Sequence, residues 1–329
     1  MTVDPWHREF HVALRAVRDG AIMARHVREN VGEPALQKSD QSPATVADFA
    51  VQALVAHRLA ENFPDDPLVA EEDAATLRTP SAQTMVHSVM AALHHSAPDL
   101  DSKRALDLID RGRGTPAERF WTLDPVDGTQ GFVRGGQYVV ALALIVRGQV
   151  EIGLIGCPAL SLDDRPMADR GWMACAVRGR GSFAASLQEE ALRPLRVSPC
   201  RDPRFARLLR SFEAEHINLT TFNSIVQALG VQATPVLMDS QAKHVVVAAG
   251  CADLLIRVPA TKTFRDKIWD QAAGSLIIEE AGGRVTDLSG ALLDFGVGYL
   301  LKANEGVIAS NGLLHPAVLD AVRGATMGR

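Results

Sequence analysis

The rhythm of the chain changes near residue 195, and that change constrains the fold more than any other feature. Before it, long helical patterns lead into hairpin strands. Trp6, Phe10, Ala13, Val17, Ala21 and Ala24 recur at steps of three and four, the spacing of one helix face. Residues 46–62 read as a second helix, with Thr45 as N-cap after Ser42-Pro43 and Asp48 in the first turn. Leu68-Val69-Ala70 is a short apolar strand that delivers Glu71 and Glu72 at its end. Residues 138–146 and 150–155, joined through Arg147-Gly148-Gln149, predict a β-hairpin, and residues 172–177 a further strand. Residues 78–119 read as irregular and polar, apart from a helical pattern over 85–93. Beyond 195, short apolar strands alternate with helical segments, as in 236–238, 242–249 and 254–258. The first half is therefore expected to be α+β and the second α/β, with units at 1–195 and 196–329. No low-complexity linker separates them, so they should pack tightly, and a cleft between them is the natural place for a ligand.

Composition enters as a set of exclusions. At 329 residues with 47% hydrophobic side chains, the chain has the make-up of a soluble globular protein of about two domains. A net charge of -5 argues against broad binding to nucleic-acid polymers or membrane surfaces. Cationic ligand contacts must then be placed one by one. Cys157, Cys175, Cys200 and Cys251 form neither a CxxC pair nor a dense framework, which fits free thiols in a reducing compartment. No stretch approaches a membrane span, so a cytoplasmic location is expected.

Asp124-Pro125-Val126-Asp127-Gly128-Thr129 carries the chemistry. Pro125 stiffens the segment, which reads as a turn. Asp124 and Asp127 suit a hard divalent cation, and the Val126 carbonyl between them offers a third oxygen. Gly128 lets the backbone approach a bound group, and its N–H with that of Thr129 suits a phosphate oxygen. Taken alone, such a segment is more often an ordinary turn. Trp269-Asp270-Gln271-Ala272-Ala273-Gly274 opens a helix that ends at Gly282-Gly283, and Asp270 stands where an N-cap belongs. Taken alone, it only caps that helix.

Together, Glu71-Glu72, the Asp124–Thr129 segment and Trp269-Asp270 with Ala273-Gly274 resemble the inositol monophosphatase superfamily of magnesium-dependent, lithium-sensitive phosphatases, in order and spacing over nearly the whole chain. The chain is most similar to one branch, the 3′(2′),5′-bisphosphate nucleotidases. That likeness rests on the run from Lys38 to Asp48, Phe120-Trp121-Thr122-Leu123, Gly131-Phe132-Val133-Arg134-Gly135, Ile155-Gly156-Cys157-Pro158 and Met238-Asp239-Ser240-Gln241-Ala242-Lys243. Two departures stand out: Gln130 where the branch usually has Lys, and a loose match over 213–222.

The resemblance implies a layered αβαβα sandwich of the inositol monophosphatase/fructose-1,6-bisphosphatase type. It implies two or three Mg²⁺ ions on Glu71, Asp124, Asp127, the Val126 carbonyl and Asp270. Asp48 and Thr129 correspond to the pair that orients and deprotonates the attacking water, and the Gly128 and Thr129 amides to the phosphate cradle. Ser240, Lys243, Arg257 and His216 correspond to nucleotide contacts. The implied substrate is a nucleotide bisphosphate, adenosine 3′,5′-bisphosphate or its 5′-phosphosulfate. The alternatives are an inositol polyphosphate or sugar phosphatase on the same core, and, more remotely, a non-catalytic nucleotide sensor. Physical chemistry supports hydrolysis independently: a phosphomonoester dianion repels hydroxide, and paired metal ions supply both neutralisation and an activated water.

Overall fold

The computed structural model describes residues 6–30, 35–37, 43–162, 171–212 and 217–327. The chain opens with α1 (His7–Asn30), whose buried stripe of Ala13, Val17, Ala21 and Ala24 is the expected one. Two short strands, β1 (Ala35–Gln37) and β2 (Pro43–Thr45), lead into α2 (Val46–Asn62). Thr45 caps α2 as expected, and the cap is reciprocal. Its hydroxyl accepts from the Ala47 N–H at 3.2 Å, while Asp48 Oδ2 accepts from Thr45 N at 2.7 Å and Thr45 Oγ1 at 2.6 Å. Then come β3 (Leu68–Ala70), α3 (Gln83–Leu93) and α4 (Ser102–Asp110). Helix α4 replaces the irregular chain expected there. Its signal is short: Asp101 caps it through the Arg104 N–H at 2.7 Å, and only Ala105, Leu108 and Ile109 face inward.

A seven-stranded sheet follows, built from β3, β4 (Arg119–Asp127), β5 (Val139–Val146), β6 (Gln149–Cys157), β7 (Trp172–Val177), β8 (Gly181–Ser186) and β9 (Arg193–Pro194), in that order. Only β3 and β4 run parallel; the rest pair antiparallel. Between β4 and β5 lies α5 (Thr129–Arg134). The second half supplies β10 (Leu208–Arg210), α6 (Leu219–Leu229), β11 (Val236–Leu237), α7 (Ala242–Ala248), β12 (Leu254–Arg257), α8 (Ala272–Glu280), β13 (Arg284–Thr286), β14 (Val307–Ser310) and α9 (His315–Met327). Its five strands form a mixed sheet in the order β11-β10-β12-β14-β13.

Strand alternation explains the layering. On β5, Val140, Leu142 and Leu144 join the core beneath α1 and α2, while Val139, Ala141, Ala143 and Ile145 face α7 and α8. The small residues on that second face let α8 settle close. At Gly153 of β6 a Cβ would lie 2.8 Å from the Ala273 carbonyl, so this contact requires glycine. On β12, Leu255 points back into the α7/α8 core, and Leu254 and Ile256 point outward under α6 and α9. Helices, sheet, helices, sheet and helices therefore stack as an αβαβα sandwich around three apolar cores. No helix among the described residues is long and apolar enough to cross a membrane.

Two local expectations are corrected. The Asp124–Asp127 stretch is the bulged end of β4 rather than a turn. Asp124 pairs with Ala141 and Asp127 with Val139, so three steps on β4 face two on β5. Pro125 has no N–H to lose at such a bulge. Asp270 is not the N-cap of α8. It ends a 3₁₀ turn, Ile268–Asp270, and Gln271 takes the cap position.

Candidate active site

Elements from both halves converge on one cleft of about 240 Å³. Glu71 enters at the C-terminal end of β3, and Asp127 at the end of β4. Gly128 follows with φ 86°, a left-handed conformation that turns the chain into α5 and brings Thr129 to the wall. The facing wall carries Ser240, Lys243 from the first turn of α7, Arg257 from the end of β12, and Asp270. Asp48, Asp124 and Val126 stand behind the lining. Asp48 is fully buried, with Oδ1 3.5 Å from Thr129 Oγ1; that hydroxyl also donates to the Val126 carbonyl at 3.1 Å. His216 lies outside the described residues.

The electrostatics are those of crowded carboxylates. Burial raises Asp124 well above the usual carboxylate range, and the charges of Glu71, Asp127, Asp270 and Asp48 push it further. Burial raises Asp127 too, against the pull of Lys243 and of the Gln241 amide. Asp270 is pushed up to about 7, by burial first and then by Asp127. Opposite them, burial lowers Lys243 to about 8, although Asp127 favours its charge, and its Nζ donates to the Met238 carbonyl at 3.0 Å. Burial opposes the charge of Arg257, but Asp266, Asp270 and Asp127 together hold it above its ordinary value. Its Nε lies 2.9 Å from Asp266 Oδ1 without being aligned for a hydrogen bond. Lys267 reaches across the cleft to Glu71 at 4.0 Å.

This donor set fits a hard cation. It is all oxygen, and Asp124 Oδ1 is buried with no hydrogen-bond partner among the described residues. Among the described residues, no three His, Cys, Asp or Glu side chains are gathered closely enough to form a group that would hold a metal ion by itself. Mg²⁺ does not ask for one, since it keeps several waters and takes one or two carboxylates together with substrate phosphate.

Among the cleft residues that the sequence reading gave no role are Gln241, His244 and Gln271. His244 is buried, with neither ring nitrogen in a well-aligned hydrogen bond among the described residues although the Gln271 side chain lies beside it, and burial pushes it down to about 3, so it is neutral. A Cβ at Gly274 would sit 2.5 Å from its ring, which accounts for glycine there. Gln241 belongs to one of the motifs of the resemblance but carries no expected role. No signal in the sequence distinguishes a glutamine that bridges two helices from one on the surface.

A sequence profile of the inositol monophosphatase family matches residues 8–327. The chain is 37% identical over 345 residues to a 3′(2′),5′-bisphosphate nucleotidase of Emericella nidulans, covering 97% of this chain and 98% of that protein. It is 38% identical over 337 residues to a protein of the same description from Schizosaccharomyces pombe, covering 97% and 96%. Among solved structures, an IMPase of Thermotoga maritima has the same fold, with a TM-score of 0.67 at 20% identity over 97% of this chain and 98% of that one.

Proposed function

The chain belongs to the inositol monophosphatase family, and from that premise we propose that it hydrolyses the 3′-phosphate of adenosine 3′,5′-bisphosphate, and of its 5′-phosphosulfate, with two or three Mg²⁺ ions bound. The products from the bisphosphate are AMP and phosphate. The carrying observation is a single cleft in which an acidic wall with a Gly128-Thr129 cradle faces Ser240, Lys243 and Arg257. Near-full-length identity to bisphosphate nucleotidases supports the nucleotide over an inositol phosphate as substrate.

Glu71, Asp124, Asp127, Asp270 and the Val126 carbonyl would hold the metal ions. When bound, Mg²⁺ lowers the pKa of a coordinated water and neutralises the departing oxygen. The remaining work falls to the chain. The Gly128 and Thr129 amides hold the phosphate to be cleaved. Thr129 has one hydroxyl hydrogen and two acceptors in reach, Val126 O at 3.1 Å and Asp48 Oδ1 at 3.5 Å. Turning that hydrogen to Asp48 frees a lone pair for a proton of the attacking water; such contacts tighten when substrate binds. Thr45 pins Asp48 through its other oxygen, so Oδ1 stays aimed at Thr129. The water oxygen bonds to phosphorus as the P–O3′ bond breaks, its proton passing through Thr129 Oγ1 to Asp48, and the 3′-oxygen leaves with a proton from solvent.

Lys243 and Arg257 take the second phosphate, Arg257 sharing itself with Asp266, and Ser240 the ribose or base. His216 belongs to the same proposal. The division at residue 195 fits this reading: β9 ends at Pro194, most metal ligands precede it, and Asp270 with the substrate contacts follows. The proposal includes a cytoplasmic setting, which suits four free cysteines.

The test is phosphate release from adenosine 3′,5′-bisphosphate, its 5′-phosphosulfate, inositol 1,4-bisphosphate and fructose 1,6-bisphosphate. The first should give the highest kcat/KM with Mg²⁺ and none in excess chelator, and Li⁺ should inhibit. Lys243→Ala should lower kcat/KM for the bisphosphate more than for a simple monophosphate. A preference for inositol 1,4-bisphosphate moves the assignment to the inositol phosphatases, and full activity in chelator ends the metal reading.

A pH dependence follows from the raised carboxylates. Asp124, Asp127 and Asp270 hold protons more tightly folded than unfolded when no cation is present. Their contribution to stability is therefore full below the unfolded value of about 3.9. It is lost as pH rises through the folded value, about 7 for Asp270. A bound cation cancels that loss. The Tm gap between Mg²⁺-saturated and chelated protein should widen as pH rises from about 5 to about 8. His244 and His315, depressed by burial to about 3 and about 4, lose stability as pH falls, but they do so in both arms and drop out of the difference. A gap that narrows with rising pH would remove these carboxylates from the metal site.

A further inference from the structure

Gln241 stands at the N-cap of α7, yet its side chain makes no bond to that helix. It is 2% exposed and turned toward α8. Its Nε2 donates to the Trp269 carbonyl at 2.9 Å, and its Oε1 accepts from the Gly274 N–H at 3.2 Å. Gly274 is the third residue of α8, where amides have no partner inside the helix, and Gln271 at the N-cap offers no side-chain bond. Gln241 therefore caps α8 from outside, and its grip on Trp269 fixes the 3₁₀ turn that carries Asp270. Its backbone N–H does something different: it donates to Asp127 Oδ2 at 2.5 Å. That N–H points at Asp127 because Ser240 holds φ 61°, a left-handed conformation that serine adopts only at some cost. Strain of this kind persists where the surroundings impose it, and here a Cβ on Gly128 would lie 2.9 Å from the Ser240 Cβ, so the two walls are in close contact.

We propose that Gln241 is a positioning residue that holds Asp127 of the first sheet and Asp270 of the second half at the separation the metal centre needs. The inference rests on the reading that these carboxylates bind Mg²⁺. Like charges left to themselves spread apart, and Mg²⁺ tolerates little departure from octahedral geometry. A buried amide that bonds to one carboxylate through its backbone and to the other's support through its side chain opposes that spreading.

The experiment is calorimetric titration of the full chain with MgCl₂ alone, without substrate. Gln241→Met keeps length and volume but removes both side-chain bonds. It should bind Mg²⁺ about 10–100-fold more weakly than wild type, the scale for losing a group that orients a metal ligand. The Mg²⁺ concentration for half-maximal phosphate release should rise by the same factor, with kcat recovering at saturation. Gln241→Asn, which keeps a buried amide but falls one methylene short, should weaken binding too, and serves if the Met variant does not fold. Asp101→Ala, which removes the cap of α4, is the control for general destabilisation: it should lower Tm in chelator and leave Mg²⁺ affinity unchanged. Folded Gln241 variants with wild-type affinity overturn the inference and leave the metal reading standing. Equal loss of affinity in Asp101→Ala also overturns it. A wild-type chain that does not bind Mg²⁺ overturns the metal reading and the inference together.

Discussion

Asp127→Asn is expected to slow phosphate release from adenosine 3′,5′-bisphosphate by on the order of a hundredfold or more, the scale for removing a group that stabilises developing charge. The structure says why the fold should survive. Asp127 is one of several carboxylates that raise one another's pKa, so without metal one fewer charge relieves repulsion. The substituted side chain would still present an amide oxygen to the Gln241 N–H, which now bonds to Asp127 Oδ2 at 2.5 Å. The charge that Lys243 faces would be gone, so Lys243 should deprotonate more easily in the variant. The measurements are kcat at saturating Mg²⁺ and Tm in chelator. An unfolded variant, or one that turns over at the wild-type rate, removes Asp127 from the role assigned to it.

Gly128→Ala should be nearly as damaging, through sterics instead of charge. Gly128 holds φ 86°, which costs an L-residue about 1–2 kcal/mol. Its new Cβ would lie 2.9 Å from the Ser240 Cβ and 3.2 Å from the Gln137 carbonyl. Relieving that overlap means parting the two walls of the cleft, at about 1–3 kcal/mol for an overpacked site. Together a loss of about 2–5 kcal/mol is expected, seen as a fall in Tm of several degrees, with kcat/KM down at least tenfold because Thr129 and Asp127 sit on either side. Gly179→Ala separates the two causes. Gly179 also holds a positive φ, 74°, but nothing lies within 4 Å of its Cβ position, so only the backbone cost remains. If the Gly128 variant is no worse than the Gly179 variant, the close approach of Ser240 does not govern the cleft.

Much of this protein is legible in local patterns. Periodicity locates α1, because it buries one face and its apolar residues must recur at 3.6, whereas α2 and the central strands, buried on more than one face, read as near-continuous apolar runs. Thr45 with Asp48 announces the start of α2, since a hydroxyl and a carboxylate three residues apart satisfy each other's backbone amides. The family resemblance places the carboxylates in order along the chain, and eight of the singled-out residues do line one cleft. The misreadings have physical causes. Pro125 looks like a turn former because proline usually ends a strand. Here Pro125 falls in the bulge between the Asp124–Ala141 and Asp127–Val139 pairs with β5, where the ladder asks for no donor from it. Asp270 looks like a helix cap because one 3₁₀ turn shifts the true start of α8 by one residue, and that turn is held at Trp269 by Gln241, 28 residues away in sequence. Helix α4 escapes notice because nine residues with three inward side chains give almost no periodic signal.

By itself, then, the sequence determined most of the longer helices and strands, that carboxylates, a glycine turn and cations occur in the order of a phosphatase of this family, and that nothing in the cysteines or net charge opposes that chemistry. These are local or additive properties, set by each residue's own backbone and side chain. Only the tertiary structure decided that α8 lies between the two sheets, that Asp48 stands behind Thr129, that Ser240 is forced to a positive φ, and that Gln241 ties Asp127 to the turn carrying Asp270. Those are relations between residues tens to more than a hundred positions apart. They arise when burial of three apolar cores brings distant backbone into contact, and unpaired amides and carboxylates must then find partners wherever packing has left them.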